Sequence, residues 1–367
     1  FDGVDTARLR PDRLAKLIAK AGRGDADSAA QADVELSRAL AAYVRAMRGA
    51  DHEPMIYESA ALQPIVPTAQ AVLDAAARAA SLDGYVADMG WMHPLYAPLR
   101  KAMADTRYSD AQHRLIWANL ARIRAIPALS GGKYILVDAA SARLWMYDGG
   151  KPVDSMKVVV GKPDLQTPMM AGFVRTAILN PYWNVPDDLV RTKIAASALD
   201  KGAGYLKSEG YQVFANWDDH AVMLDPASVD WQAVHDGATQ VHVRQLPGGS
   251  NFMGKVKFEF PNPKGIYLHD TPDKGLLKLA DRQLSSGCVR LEDAARMHRW
   301  LMGAPLPVKV RQVEQAVPLP QMVPIYITYL TALPQPDGQI AFHTDPYARD
   351  GLQLAAADVR GARTDRP

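Results

Sequence analysis

The texture of the chain changes once, abruptly, at Ser130-Gly131-Gly132. Before this point apolar residues recur at helical spacing. After it, short β-branched and aromatic runs alternate with tight turns. A chain that places its helices first and its strands afterwards does not follow the alternating pattern of a parallel α/β sheet, and it reads as α+β. Residues 1–128 are expected to form a helical scaffold domain. Residues 129–345 are expected to form a mainly β domain interrupted at 186–251, with a polar tail at 346–367.

Within the helical part, residues 27–48 carry Val34, Leu36, Leu40, Tyr43, Val44 and Met47 at roughly helical intervals. Asp27 or Ser28 is the expected N-cap and Gly49 the stop. Residues 68–80, 94–103 and 110–126 give further helices, with 81–84 read as a break. Pro127 marks a boundary, because the residue before a proline is pushed out of the helical region. Beyond Gly132, residues 133–138, 142–147, 153–160, 255–260, 265–269, 308–313, 323–330 and 339–343 read as strands. Their tight turns predict an antiparallel sheet. Residues 291–302 read as one amphipathic helix with Glu292 and Asp293 in its first turn, where negative charge suits the helix dipole. The interrupting segment is mixed and aromatic, with Tyr205, Tyr211, Trp217 and Trp231. From Asp345 the polarity predicts a loose end.

Composition narrows the function. Hydrophobic residues at 48% and charged residues at 22% are ordinary for a globular protein. A net charge of +2 gives no basis for nucleic-acid binding. No apolar run has the length of a membrane span. The chain begins at Phe1 rather than Met, which reads as a mature or trimmed chain, so the lack of a visible export signal does not point to the cytoplasm.

The chain has one cysteine, Cys288, so no intramolecular disulfide can form. A lone thiol is either a small buried hydrophobe or a nucleophile, and its surroundings decide. Here they are Leu284-Ser285-Ser286-Gly287-Cys288-Val289-Arg290-Leu291. Glycine lacks a Cβ and lets a substrate approach the backbone. The N–H groups of Gly287 and Cys288, with the Ser286 hydroxyl, are the expected oxyanion donors; the alternative for Ser-Ser-Gly is a plain turn. A thiol of pKa ~8.5 is mostly protonated at neutral pH and needs a base. His269 is the best-placed histidine, because it ends the apolar run Ile266-Tyr267-Leu268 and Pro272 then forces a turn. Asp270 would orient it through its side chain or its carbonyl. The alternative is a structural histidine satisfied by its neighbours. No histidines stand at a metal-binding spacing, so neither a metal nor another cofactor is expected.

His269 and Cys288, nineteen positions apart and set in Ser285-Ser286-Gly287-Cys288-Val289-Arg290, resemble the signature of the L,D-transpeptidase (YkuD) catalytic domain, and more narrowly its YcbB-like proteobacterial branch. Further blocks are similar to that branch: Tyr134-Ile135-Leu136-Val137-Asp138 with Arg143-Leu144, Val160-Gly161-Lys162-Pro163, Gln166-Thr167-Pro168, Asn180-Pro181-Tyr182-Trp183-Asn184-Val185-Pro186 and Tyr326-Ile327-Thr328-Tyr329. The resemblance covers about residues 110–350, with two departures. Many family members have a histidine where Ser286 stands here, a difference shared with the YcbB-like branch. The short stretch from Leu99-Arg100 to Asp110 leaves no room for the small peptidoglycan-binding domain that some branch members carry.

The resemblance implies a β-sandwich-like domain whose inserted segment caps the active site. It implies a cysteine acyltransferase on peptidoglycan stem peptides, with Cys288 as nucleophile, His269 as base, and 3→3 cross-links as product. Carbapenems would acylate the same thiol, and the periplasm of a Gram-negative bacterium would be the place of action. Arg290 would bind a substrate carboxylate, with a structural ion pair as the alternative. Tyr267 would line the donor channel because it shares a strand face with His269. Trp183 would do the same or pack under the cap. Three other outcomes share these residues: an outer-membrane protein as acyl acceptor, hydrolysis of the acyl-enzyme, and a non-catalytic wall-binding scaffold.

Overall fold

The structure is a computed structural model that describes residues 9–50, 52–129, 131–218 and 220–351. The described chain divides into two compact units, one made of 9–155, 168–172 and 324–351, the other of 156–167 and 173–323. The architecture is α+β, a helical N-terminal region followed by a mainly β domain.

In the first unit the helices are α1 (Pro11–Ala21), α2 (Ala26–Arg48), α3 (Ala69–Ala77), α4 (Leu82–Asp88), α5 (Tyr96–Ala102) and α6 (Asp110–Arg124). Their starts follow capping chemistry. Thr68 and Ser81 cap α3 and α4 through their hydroxyls, and Ser109 and Gln112 form a reciprocal capping box on α6. Ser81 therefore opens a helix where the sequence was read as a break. For α2 the cap is Asp25, neither Asp27 nor Ser28; its carboxylate accepts from the Ser28 N–H and hydroxyl. Met47, Tyr96, Leu99, Ile116, Leu120 and Ile123 close the core with Leu330 and Ala332. Strands β1 (Lys133–Asp138) and β2 (Arg143–Asp148) form a hairpin in which Ile135 faces Met146.

The second unit carries the end of β3 (Lys151–Gly161), most of β4 (Met170–Leu179), then β5 (Val256–Glu259), β6 (Leu268–His269) and β7 (Val289–Leu291). β4 was not anticipated. These pair in the order β4-β5-β6-β7-β3. The β6–β7 pairing is parallel, as is that of β1 with the end of β8 (Gln315–Thr328), so the expected antiparallel sheet is in fact mixed. A long connection between His269 and Val289 permits this, since only hairpins need the antiparallel sense.

Side chains alternate across these strands. Ala177, Phe258, Leu268, Val289 and Val160 share one face and are sealed from solvent. Helix α7 (Ala294–Met302) is amphipathic and buries Met297, His298 and Leu301, with His298 6.5 Å from the Phe258 ring. α7 is shorter than the expected helix: Leu291 ends β7, and Asp293 caps α7 by accepting from the Arg296 N–H. Residues 308–313 pair with no strand, and Val308 is 96% exposed, so an apolar run without a partner edge stays irregular.

Residues 183–245 build a small four-stranded sheet from Trp183–Asn184, His242–Gln245, Tyr211–Phe214 and Met223–Leu224, in that order. It has its own core, in which Trp183, Val190, Ile194, Leu206, Tyr211 and Trp231 meet. The aromatic residues of the interrupting segment thus serve mostly its own packing, while Trp217 stays 53% exposed.

Residues 345–350, read as loose, are pinned within the first unit. Asp345 accepts from the Tyr329 hydroxyl, and Asp350 lies 2.6 Å from Arg122, which is fully buried and also meets Glu53 at 2.7 Å. The rest of the expected tail, 352–367, lies outside the described residues.

Candidate active site

The site grows from one glycine turn on the second unit. Gly287 sits at φ 113°, a conformation that side chains rarely adopt, and a Cβ there would lie 3.1 Å from Ile266. Its carbonyl accepts from the Thr167 hydroxyl at 2.7 Å, and that hydroxyl accepts from the Gly161 N–H at 2.8 Å. Gly161 is required by close approach, because an added Cβ would fall 2.1 Å from the Leu165 carbonyl oxygen. Ser285 completes the turn: its hydroxyl donates to the Cys288 carbonyl at 2.6 Å and accepts from the Gly287 N–H at 3.1 Å.

That last bond corrects an expectation. The Gly287 N–H, expected as an oxyanion donor, donates instead to the Ser285 hydroxyl within the turn. Ser286 is exposed. The Cys288 N–H, by contrast, has no hydrogen-bond partner among the described residues. Cys288 itself is half-buried, and its thiol lies 3.7 Å from the Gly265 carbonyl.

Strand register brings the candidates onto one face. Leu268 pairs with Val289 and His269 with Arg290, so Tyr267, His269, Cys288 and Arg290 project to the side opposite the sealed apolar row. Cys288 and His269 are diagonal neighbours on adjacent strands, a placement that long or aromatic side chains can span. No direct hydrogen bond joins them in this structure. His269 is 2% exposed, and its Nδ1 donates to the Asp270 carbonyl at 2.6 Å, which leaves Nε2 as the basic nitrogen. Burial, reinforced by the Arg290 guanidinium, pulls the imidazole down to about 4. Burial pushes the Cys288 thiol up, against the Tyr267 backbone N–H and the Arg290 cation. A neutral thiol beside a neutral imidazole is therefore the resting pair.

Asp270 orients His269 through its carbonyl, while its carboxylate holds the loop. It accepts from the Lys255 N–H at 3.0 Å and from Lys274 Nζ at 2.8 Å. Lys274 Nζ also donates to the carbonyls of Leu291 and Glu292, tying the segment after His269 to the end of β7. Gly254, at φ 63°, lies so close that a Cβ would meet Asp270 at 2.5 Å.

Arg290 has no ion-pair partner among the described residues, and its buried Nε has no hydrogen bond. The structural ion pair weighed for it is absent from the described residues. The Arg290 guanidinium carbon lies 6.0 Å from the Phe252 ring, and Phe252 packs 4.5 Å from Trp183. Trp183 is 8% exposed and belongs to the small sheet's core, so the half-open aromatic beside Arg290 is Phe252. Sequence reading passed over Phe252, Lys257 and Thr167, because each owes its place to pairing with distant residues. The only advance signal was Thr167 within the Gln166-Thr167-Pro168 block. Lys257 Nζ lies 5.5 Å from the Tyr267 ring.

Residues 132–314 match the family of the L,D-transpeptidase catalytic domain. The chain belongs to the L,D-transpeptidase family. Residues 1–103 match a second family, described as a scaffold domain. A Haemophilus influenzae protein named as a candidate L,D-transpeptidase is 30% identical over 248 residues, 66% of this chain and 49% of that protein. The chain thus spans about half the length of that relative. Among solved structures, the L,D-transpeptidase of Mycobacterium smegmatis aligns at 14% identity and a TM-score of 0.26, over 53% of this chain and 58% of that one. The Enterococcus faecium catalytic domain acylated by ertapenem aligns at 13% and 0.27, over 54% of this chain and 97% of that one.

Proposed function

We propose that this L,D-transpeptidase-family chain is a cysteine acyltransferase that cross-links peptidoglycan stems in the periplasm of a Gram-negative bacterium. The observation that carries the reading is the shared face of Cys288 and His269, with the imidazole tautomer fixed by the Asp270 carbonyl. His269 Nε2 takes the thiol proton, and the Cys288 thiolate attacks the L-centre carbonyl of the third stem residue, a diaminopimelate. The Cys288 N–H stabilises the resulting oxyanion. The C–N bond to the terminal D-alanine breaks as imidazolium returns the proton to the leaving amine. The thioester keeps the energy of the cleaved amide, so no nucleotide is consumed. An amine of a second stem gives its proton to His269, attacks the thioester and releases the thiol, leaving a 3→3 link. Arg290, unpaired and beside Phe252, holds a stem carboxylate. Tyr267, on the same face, lines the donor path.

Purified protein with disaccharide-tetrapeptides tests this. The expected product is a dimer with release of one D-alanine, lost in Cys288→Ala. Net conversion to tripeptide without dimer would assign hydrolysis instead, and linkage to an added outer-membrane protein would reassign the acceptor. Undiminished complementation by Cys288→Ala in a deletion strain would indicate a non-catalytic scaffold. Incubation with a carbapenem is expected to leave one covalent adduct on Cys288 by intact-protein mass spectrometry.

A further inference from the structure

Three strands set three cationic or titratable side chains in a row. Lys257 on β5 pairs with His269 on β6, which pairs with Arg290 on β7, and all three point to one face. Lys257 is 8% exposed. Its Nζ is held 3.0 Å from Glu259 and 3.8 Å from Glu314. Glu314 has a left-handed backbone, φ 54°, rare for a residue with a side chain. It is fixed there by its own N–H to the Asn180 carbonyl and by the Tyr182 N–H to its carboxylate at 2.7 Å. Such a conformation persists only where surrounding contacts over-determine it.

We propose that Lys257 is a positioning residue that acts through His269: its ammonium and the Arg290 guanidinium flank the imidazole from both neighbouring strands, so positive charge is disfavoured on the ring and negative charge is favoured at Cys288. This rests on the reading of Cys288 and His269 as the reacting pair. The other charged groups facing the row are Glu259 on β5, Tyr267 and Asp270 on either side of β6, Asp273 in the following loop, and Glu314 ahead of β8. Glu259 and Glu314 locate the ammonium and offset part of its field, so they set how much of it reaches the ring. Lys257 contributes in the same sense as Arg290 at both His269 and Cys288.

The test is the pH profile of Cys288 alkylation by iodoacetamide in the full chain, followed by mass spectrometry. Lys257→Met is expected to move the profile to higher pH and slow alkylation at neutral pH by up to about tenfold, the equivalent of one pKa unit. The two curves should converge in alkali, and Lys257→Arg should restore the wild-type position. Glu259→Gln with Glu314→Gln, keeping the lysine, is expected to shift the profile the opposite way. A merely structural lysine would give an unmoved profile, or shifts of one sign in both variants, and either result overturns the proposal. If Lys257→Met does not fold, the double Gln variant decides by itself: a shift to lower pH supports the proposal, and no shift overturns it. Iodoacetamide needs no substrate recognition. A failure of muropeptide cross-linking would therefore count against the proposed function, and an unmoved alkylation profile against Lys257 alone.

Discussion

The two faces of the β4-β5-β6-β7-β3 sheet are built from the same strands, one residue apart. On one face Ala177, Phe258, Leu268, Val289 and Val160 form an unbroken apolar row. On the other, Lys257, His269 and Arg290 lie at matching heights between Ile178 and Val159. The first face gains stability by removing apolar surface from water. The second collects one ion-paired lysine, one guanidinium with no ion pair among the described residues and a desolvated imidazole, groups whose burial costs stability where apolar burial adds to it. Because strands alternate with period two, a slip of one residue would exchange the faces and destroy both properties.

Substitutions on the two faces should therefore fail in different ways. The largest effect is expected from Cys288→Ala, which should lower cross-linking by more than about 10³-fold while leaving the melting temperature nearly unchanged. His269→Gln should cost about 10²–10⁴-fold in turnover, the range of a lost general base, again with the fold intact. Phe258→Ala, from the opposite row, should invert this pattern. It should destabilise by about 3–5 kcal/mol in chemical denaturation, with residual activity tracking the folded fraction. Equal stability losses on both faces would break the comparison. Arg290→Gln should raise KM more than it lowers kcat, by about tenfold, as expected for a lost charge-assisted bond to a carboxylate.

The smallest effect concerns pH. His269 is depressed to about 4, below the 6.5 of a free histidine, so between these values the unfolded chain binds the extra proton. The stability contributed by the neutral ring is thus complete above pH 6.5 and is lost as pH falls toward 4. Denaturation midpoints of His269→Gln measured across this window should fall less steeply than those of wild type. The acid limb of wild-type activity should lie below 6.5, and a limb at or above that value would contradict a ring held neutral by burial and Arg290.

Much of this was legible in the chain. The shift from helical to strand texture gave the α+β class, and the apolar run ending at His269 gave β6, whereas β7 was not read as a strand and Leu291 was assigned to the following helix. Local sequence singled out Cys288 and His269, and the β6–β7 register puts both on one face of the sheet. What escaped depended on register. Nothing local in Val256–Glu259 says that Lys257 will stand beside His269, because that requires β5 and β6 to pair at one offset. The Gly287 N–H was assigned to the oxyanion because glycine permits close approach; Ser285, two residues away, takes it instead. Residues 308–313 had strand-like composition but no edge to join. Asp345 and Asp350 looked solvent-bound because the tyrosine, arginine and threonine that receive them are distant in sequence.

The Arg122 guanidinium, buried between Glu53 and Asp350, ties a helix in the first third of the chain to a residue near its far end. An allele that stops before Asp350 would translate every residue proposed for chemistry and still leave that cation sealed from water with one counter-ion missing. Loss of one partner of a buried pair costs about 3–5 kcal/mol. Such an allele should behave as a temperature-sensitive one, sound when grown cool and cleared by proteolysis when warm.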